Sequence, residues 1–262
     1  MTTLAARTIA ALRAEHEVLA SAAADFSPDQ LKGPSGCSDW TAAQVFSHLG
    51  SGAEITLATF RAGVGEAEAP GPGFNESVWD RWNAMSPEEQ AGRAIESDEK
   101  LVAALEAVAP ERHAEIAVNP GWLPQPIPLA SFAATRLSEV AHHSWDIRVA
   151  TDPAAALTDG AAELLAEHLS GGLSFYLGFI TKTEHVREPA VIDIAGTPYR
   201  IVLDDRPRLS VEPSAATATF TGPLEAALRL LVGRLGPEHT PAGVEVTGNI
   251  GLDQLRVIFP GF

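Results

Sequence analysis

Glu139 and His143 stand four residues apart in the run Glu139-Val-Ala-His142-His143-Ser-Trp-Asp146. Four residues make about one helical turn, so on a helix the carboxylate and the imidazole share a face. Such a pair can grip a divalent cation from one side. His142 points about 100° round the same helix and cannot easily join them. A third ligand must come from another helix. His48 is the candidate, set among Val45, Phe46 and Leu49 on a bundle-facing side, and bundles build metal sites from side chains on facing helices. Two His and one carboxylate leave a coordination position for water or a substrate atom, the pattern of a catalytic rather than a closed structural site. A thiol arriving at that position would be deprotonated at neutral pH, giving a nucleophile. The plain alternative is a surface ion pair, because a Glu–His pair at this spacing is common. The order of residues is not that of the zincin HExxH motif.

Asp146, three residues after His143, is placed either to orient a ligand's second ring nitrogen or as a solvated helix charge. Cys37 lies in the loop Gly33-Pro-Ser-Gly-Cys37-Ser-Asp-Trp40, just before a helix start that would lower a thiol pKa. No His or second Cys stands near it in sequence, so no catalytic role is assigned to it. His16, His113, His168, His185 and His239 have no partner at a meaningful spacing and read as surface or satisfied structural groups. No phosphate-binding glycine motif follows a strand, so no nucleotide site is indicated.

These residues must be positioned by helices. Apolar residues recur at helical spacing over about 4–24. Thr41 and Gln44 fit a capping box, with Trp40 and Val45 as its hydrophobic staple, so a second helix runs from about 41 to 62 with His48 on its second turn. Further helices are expected over about 75–84, from Ser86 (cap, with Pro87 and Glu89) to before Pro110, over 129–150, and over 159–180, where Gly171-Gly172 weakens the middle. Several long helices with moderate links predict a bundle. The stretches 63–74 and 119–128 are Gly/Pro-rich loops. Composition changes near 185. Strands are expected at 191–196, 199–204, 208–213, 216–222 and 243–248, with helices at 223–234 and 252–259. The domain boundary is placed there, giving 1–185 and 186–262.

The 262 residues carry 18 Lys+Arg against 34 Asp+Glu, a net charge of −16, which disfavours phosphate backbones and anionic membranes. The single Cys excludes an internal disulfide and any Cys-rich metal site. No apolar run approaches a membrane span and no signal peptide is evident. The expected protein is therefore cytoplasmic, a monomer or homodimer, with no nucleic-acid or membrane partner.

Trp40-Thr41-Ala-Ala-Gln-Val45-Phe46-Ser47-His48-Leu49 resembles the W-T-x-x-x-V-x-x-H-L signature of the mycothiol-dependent maleylpyruvate isomerase family, part of the DinB-like group of metal-binding four-helix bundles. Glu139 to Asp146 is similar to that family's second signature, and Leu230-Leu231-Val232-Gly233-Arg234 to its accessory-domain signature. The resemblance implies an α+β protein: a DinB-like four-helix bundle followed by a small sterol-carrier-like domain. It also implies a divalent metal held by His48, Glu139 and His143, zinc being favoured by ligand type while nickel or iron could occupy the same ligands, and mycothiol as thiol cofactor or cosubstrate. The implied chemistry is attack of the metal-held thiolate on an electrophilic small molecule, ending as S-transfer or as cis–trans isomerisation. Arg234 is the candidate for contacting thiol or substrate and for stabilising developing negative charge, with Arg256 as its rival and a helix-terminal charge as the plain reading. Asp146 is grouped with the cofactor-binding residues. A reading from another class is a non-catalytic binding protein for a small ligand on the same scaffold.

Overall fold

The structure is a computed structural model that describes residues 2–261. Helices α1 (Leu4–Asp25), α2 (Pro28–Leu31), α3 (Ala42–Gly63), α4 (Phe74–Asn83), α5 (Pro87–Glu106) and α6 (Leu129–Arg148) form the first half, with the short strands β1 (Ala117–Val118) and β2 (Ile127–Pro128) before α6. The second half holds α7 (Asp159–Leu169), α8 (Leu177–Ile180), β3 (Ala190–Ile194), β4 (Arg200–Leu203), β5 (Arg208–Ser210), β6 (Ala218–Thr221), α9 (Leu224–Leu231), β7 (Glu245–Gly248) and α10 (Leu252–Ile258). The architecture is α+β, as expected. Two compact units divide between Ala155 and Ala156. The composition change near 185 coincides with the passage from helix to sheet. The compact units divide earlier, because α7 packs against α9 and β5 within the second unit.

In the first unit α1, α3, α5 and α6 make a four-helix bundle, α3 against α5 and α6, and α1 against the same two. Leu12, Leu19, Phe46, Leu49, Leu101 and Leu105 lie at its centre with no accessible surface. Burying each such leucine contributes about 1.5–3 kcal/mol. Both expected capping boxes are present: Thr41 Oγ1 accepts from Gln44 N, and Gln44 Oε1 from Thr41 N, with Ser86 and Glu89 doing the same for α5. The start of α6 has no side-chain cap. Its first residue is secured instead by Leu129 N donating to Ile116 O at 3.0 Å, beside the β1–β2 pair. Its second strand ends the stretch 119–128 expected to be loop, and its first lies just before that stretch.

A buried ionic node crosses the bundle. Asp98 of α5 has no accessible surface; it accepts from Arg136 Nη2 of α6 at 2.8 Å and lies 2.8 Å from His16 Nδ1 of α1. Arg136 also donates to the Leu49 carbonyl of α3 at 2.9 Å. Burial pushes the Asp98 carboxyl up, but the Arg136 charge and the hydrogen bonds from His16 and Arg136 outweigh it and hold the pKa below the ordinary carboxylate value. Four helices are thus pinned in register at one level, three residues before Glu139.

In the second unit a five-stranded sheet has the order β5-β4-β3-β6-β7, antiparallel except for the central parallel pair β3–β6, where Ile192 faces Ala218. Inward residues Ala190, Ile192 and Ile194 alternate with half-exposed ones, the period of a sheet covered on one face. The helix expected over 159–180 breaks after Leu169, and Gly171-Gly172 lies in the turn that separates α7 from α8. The one expected over 223–234 ends at Leu231, because Gly233 takes φ +76 and a Cβ there would lie 2.3 Å from the Gly261 nitrogen.

Candidate metal centre

His48 stands on the second turn of α3, and Glu139 and His143 on adjacent turns of α6. The two helices run antiparallel here: His48 meets Glu139, Gly52 meets Arg136, and Phe60 stacks on Phe132 with ring centroids 6.2 Å apart. His48 Nε2 lies 2.9 Å from Glu139 Oε2, and His143 Nε2 lies 3.7 Å from the same oxygen. The two imidazole centroids are 4.6 Å apart. One donor atom from each of the three side chains falls within 4.8 Å of the others, close enough to share one cation. His142 turns away into the bundle, where its Nδ1 lies 2.8 Å from the Ser138 carbonyl.

About 39% of the Glu139 side chain is accessible, and its carboxyl is flanked by both imidazoles. Desolvation, the largest influence, pushes its pKa up. The hydrogen bond to His48 and the charges of His143, His48 and Arg136 together outweigh it and lower the pKa to about 2. The group is therefore a carboxylate at any physiological pH, the form that binds metal.

Behind this cluster, His143 Nδ1 lies 2.8 Å from Asp146 Oδ2, and Asp146 has no accessible surface. A carboxylate on the second nitrogen leaves Nε2 to face Glu139 and His48. The Cys37 thiol donates to the same Asp146 oxygen at 3.0 Å and lies 3.8 Å from His143 Nδ1. Cys37, His143 and Asp146 thus form a second, overlapping set of potential ligands. The loop that brings Cys37 in is stapled to α6 by Gly36 N donating to the Asp146 carbonyl at 2.7 Å. Only glycine fits at that approach: a Cβ on Gly36 would lie 2.9 Å from Asp146 Cα, Asp146 Oδ1 and Val149 Cγ1. The same loop ends in Trp40, whose indole lies 5.1 Å from the His48 ring and stacks at 24° on the His143 ring. Trp40 therefore roofs both imidazoles.

Neither Cys37 nor Trp40 was legible as a site residue, since each meets His143 across more than a hundred residues of chain. The available signals were their place in the loop that caps the His48 helix and Trp40's position at the head of the Trp-Thr signature. Arg234 belongs to the second unit, where its guanidinium donates to the Val232 carbonyl at 3.2 Å. The buried Arg229 fixes that turn by donating to the carbonyls of Arg234 and His239. Arg256 is held by the Leu235 carbonyl, Asp253 and Thr240.

A helical bundle with two histidines and a carboxylate clustered across facing helices, followed by a small α+β unit, defines the general class. Residues 12–148 match the family described as the mycothiol maleylpyruvate isomerase N-terminal domain. The chain belongs to that family. Its sequence is 30% identical over 161 residues to uncharacterised proteins of Mycobacterium tuberculosis strains CDC 1551 and H37Rv, covering 59% of this chain and 71% of theirs. Two crystal structures share the fold: the mycothiol-dependent maleylpyruvate isomerase (TM-score 0.63) and a His-to-Ala mutant of it (TM-score 0.64). Each is 16% identical and covers 95% of this chain and 98% of its own. Among the described residues no helix is long and apolar enough to cross a membrane.

Proposed function

We propose that this protein is a metal-dependent enzyme that uses mycothiol as the nucleophile toward a small electrophile. His48, Glu139 and His143 would hold the cation, for which zinc suits the N/N/O donor set. The observation that carries the reading is their convergence from two facing helices, backed by a buried carboxylate on the outer nitrogen of one imidazole. This set is preferred to Cys37–His143–Asp146 because Asp146 is wholly buried and already bound by two groups, whereas 37% of His48 and 39% of Glu139 remain accessible to an incoming ligand. When bound, such a cation lowers the pKa of a thiol in its open position and supplies a nucleophile at neutral pH.

The chain's own residues do the rest. Asp146 fixes the orientation of His143, and Gly36 holds the loop that keeps Cys37 and Trp40 in place. Trp40 covers the imidazoles and excludes water from one side, which strengthens the electrostatic interactions beneath it. Glu139 stays ionised and carries no proton into the site. The reaction begins with formation of a sulfur–carbon bond to an activated double bond, whose electron pair moves to the activating carbonyl. In a transfer, that carbanion equivalent takes up, through solvent, the proton that the thiol released on deprotonation, and the adduct leaves. In an isomerisation, the former double bond rotates, the electron pair returns and the thiol departs unchanged. Arg234 is the candidate for the negative charge that develops on the activating group, with Arg256 as its rival.

Calorimetric titration of the zinc-loaded protein with mycothiol tests the reading. One thiol should bind per loaded chain in the wild type and none in Glu139→Ala. A zinc-loaded wild type indifferent to mycothiol would overturn it.

A further inference from the structure

Arg136 and Arg229 are both buried, and they spend their donors differently. Arg229 of α9, with 1% of its side chain accessible, donates from all three nitrogens: Nε and Nη2 to Glu225, and Nη1 to the carbonyls of Arg234 and His239. Arg136 of α6, with 3% accessible, donates from one. Its Nη2 serves both Asp98 and the Leu49 carbonyl. Its Nε is sealed from solvent with no acceptor, and Nη1 meets no acceptor among the described residues. Leaving donors of a charged group unmet is costly, and pinning the bundle uses Nη2 alone.

Nη1 faces a gap in α3. A Cβ on Gly52 would lie 3.2 Å from Arg136 Nη1 and within 4 Å of nothing else outside its own helix. Gly50 differs, because a Cβ there would strike Trp82 at 2.1 Å. Gly52 has no left-handed backbone either. Neither conformation nor crowding therefore calls for glycine at position 52, and glycine weakens a helix interior relative to alanine. What its missing side chain does is leave Nη1 uncovered. The gap adjoins the metal centre. Gly52 follows His48 by about 6 Å along α3, and Arg136 precedes Glu139 by about 4.5 Å along α6. The His48–Glu139 contact at 2.9 Å and the Gly52–Arg136 approach are thus successive rungs between the same two helices. The Arg136 charge is felt at Glu139, where it helps to keep the carboxyl ionised. His48, Gly52 and Glu139 are all partly accessible. The two acceptors on Nη2 fix the guanidinium, so the Nη1 donor is in place before a ligand arrives. A guanidinium bonds most strongly to an oxygen that carries negative charge.

We propose that Arg136, through Nη1 and the gap at Gly52, anchors an anionic oxygen of the electrophile beside the metal centre and so favours electrophiles that bear a carboxylate over uncharged ones. The inference rests on the proposed thiol-using function. Two small thiols test it. 3-Mercaptopropionate joins sulfur to a carboxylate through two carbons, the skeleton left when a thiolate adds to an unsaturated acid. 3-Mercapto-1-propanol carries a hydroxyl in place of the carboxylate. Gly52→Ala covers Nη1 and leaves the Asp98 node in place, and Arg136→Lys keeps a charge beside Asp98 while removing Nη1. Binding to the zinc-loaded proteins is read by calorimetry and zinc content by elemental analysis. 3-Mercaptopropionate should bind about tenfold more weakly to each variant than to the wild type, the worth of one charge-assisted hydrogen bond. 3-Mercapto-1-propanol should bind all three proteins alike, and each should keep one zinc per chain. Should Arg136→Lys fail to fold, Gly52→Ala decides alone. Equal losses for the two thiols, or an unchanged affinity for 3-mercaptopropionate in either folded variant, would overturn the anchor and leave the metal reading intact. Zinc lost from both variants would show that the pair supports the ligands instead, and would overturn the anchor too. Failure of the zinc-loaded wild type to bind either thiol would overturn the underlying function, and the anchor with it.

Discussion

Replacing Asp146 with alanine removes a single carboxylate and leaves the three proposed ligands untouched. Its Oδ2 lies 2.8 Å from His143 Nδ1 and receives the Cys37 thiol at 3.0 Å. Both groups lose this contact in Asp146→Ala, while the main chain at position 146 still accepts from Gly36 and keeps the loop docked. An outer partner of a metal-bound histidine is worth about 10–100-fold in metal affinity, or roughly 1.4–2.7 kcal/mol. Loss of the buried carboxylate's hydrogen bonds costs about 1–3 kcal/mol of fold stability, toward the lower end because 13% of His143 is accessible. Zinc affinity measured by competition with a chromophoric chelator should therefore fall 10–100-fold, and the metal-free melting temperature should fall by several degrees. Asp146→Asn keeps an acceptor for the imidazole and should lie between wild type and alanine. Wild-type zinc affinity in Asp146→Ala would refute the claim that His143 is oriented from behind. Complete loss in both Asp146→Ala and Cys37→Ser, with Glu139→Ala unaffected, would move the cation to the overlapping Cys37–His143–Asp146 set.

Cys37→Ser should retain zinc, since the thiol is a hydrogen-bond donor to Asp146 rather than a ligand in this account; elemental analysis decides. Trp40→Ala removes the roof but no donor atom, so zinc content should persist while the KM for the thiol rises about tenfold. Asp98→Asn breaks the buried node with Arg136 and should cost about 3–5 kcal/mol in urea unfolding at neutral pH. Because the folded-state pKa of Asp98 is depressed, its stabilisation is present above its unfolded pKa and is lost as pH falls through the folded value. The gap between wild type and Asp98→Asn should accordingly close under acid, and a constant gap would contradict the node's charge. Gly36→Ala drives a Cβ to 2.9 Å from Asp146 and Val149 and should lower stability by about 1–3 kcal/mol and zinc affinity together.

The sequence made the positions on each helix legible. The capping box at Thr41–Gln44 fixes where α3 starts, and therefore that His48 falls on its second turn. The four-residue spacing of Glu139 and His143 is a property of any helix. What joins α3 to α6 is not local. The Asp98–Arg136–His16 node that sets their register depends on packing among residues dozens of positions apart, and His16 offered no pattern in sequence. The same holds for Trp40, which reads as a staple to its own helix yet covers a histidine of another. The break of the long helix after Leu169 was foreshadowed by Gly171-Gly172, whose backbone entropy favours a turn. The β1–β2 ladder, with β2 at the end of a Gly/Pro-rich stretch and β1 just before it, was hidden because two-residue strands carry no periodicity. The division of compact units at 155/156 follows from contacts of α7 with α9, which composition does not report.

The central claim is that His48 and Glu139 reach across from two helices to hold one cation with His143. Metal stoichiometry tests it most directly. After loading with zinc and desalting, the wild type should carry one zinc per chain and His48→Ala none, with helical content by circular dichroism unchanged. A His48→Ala protein that keeps its zinc would contradict the account.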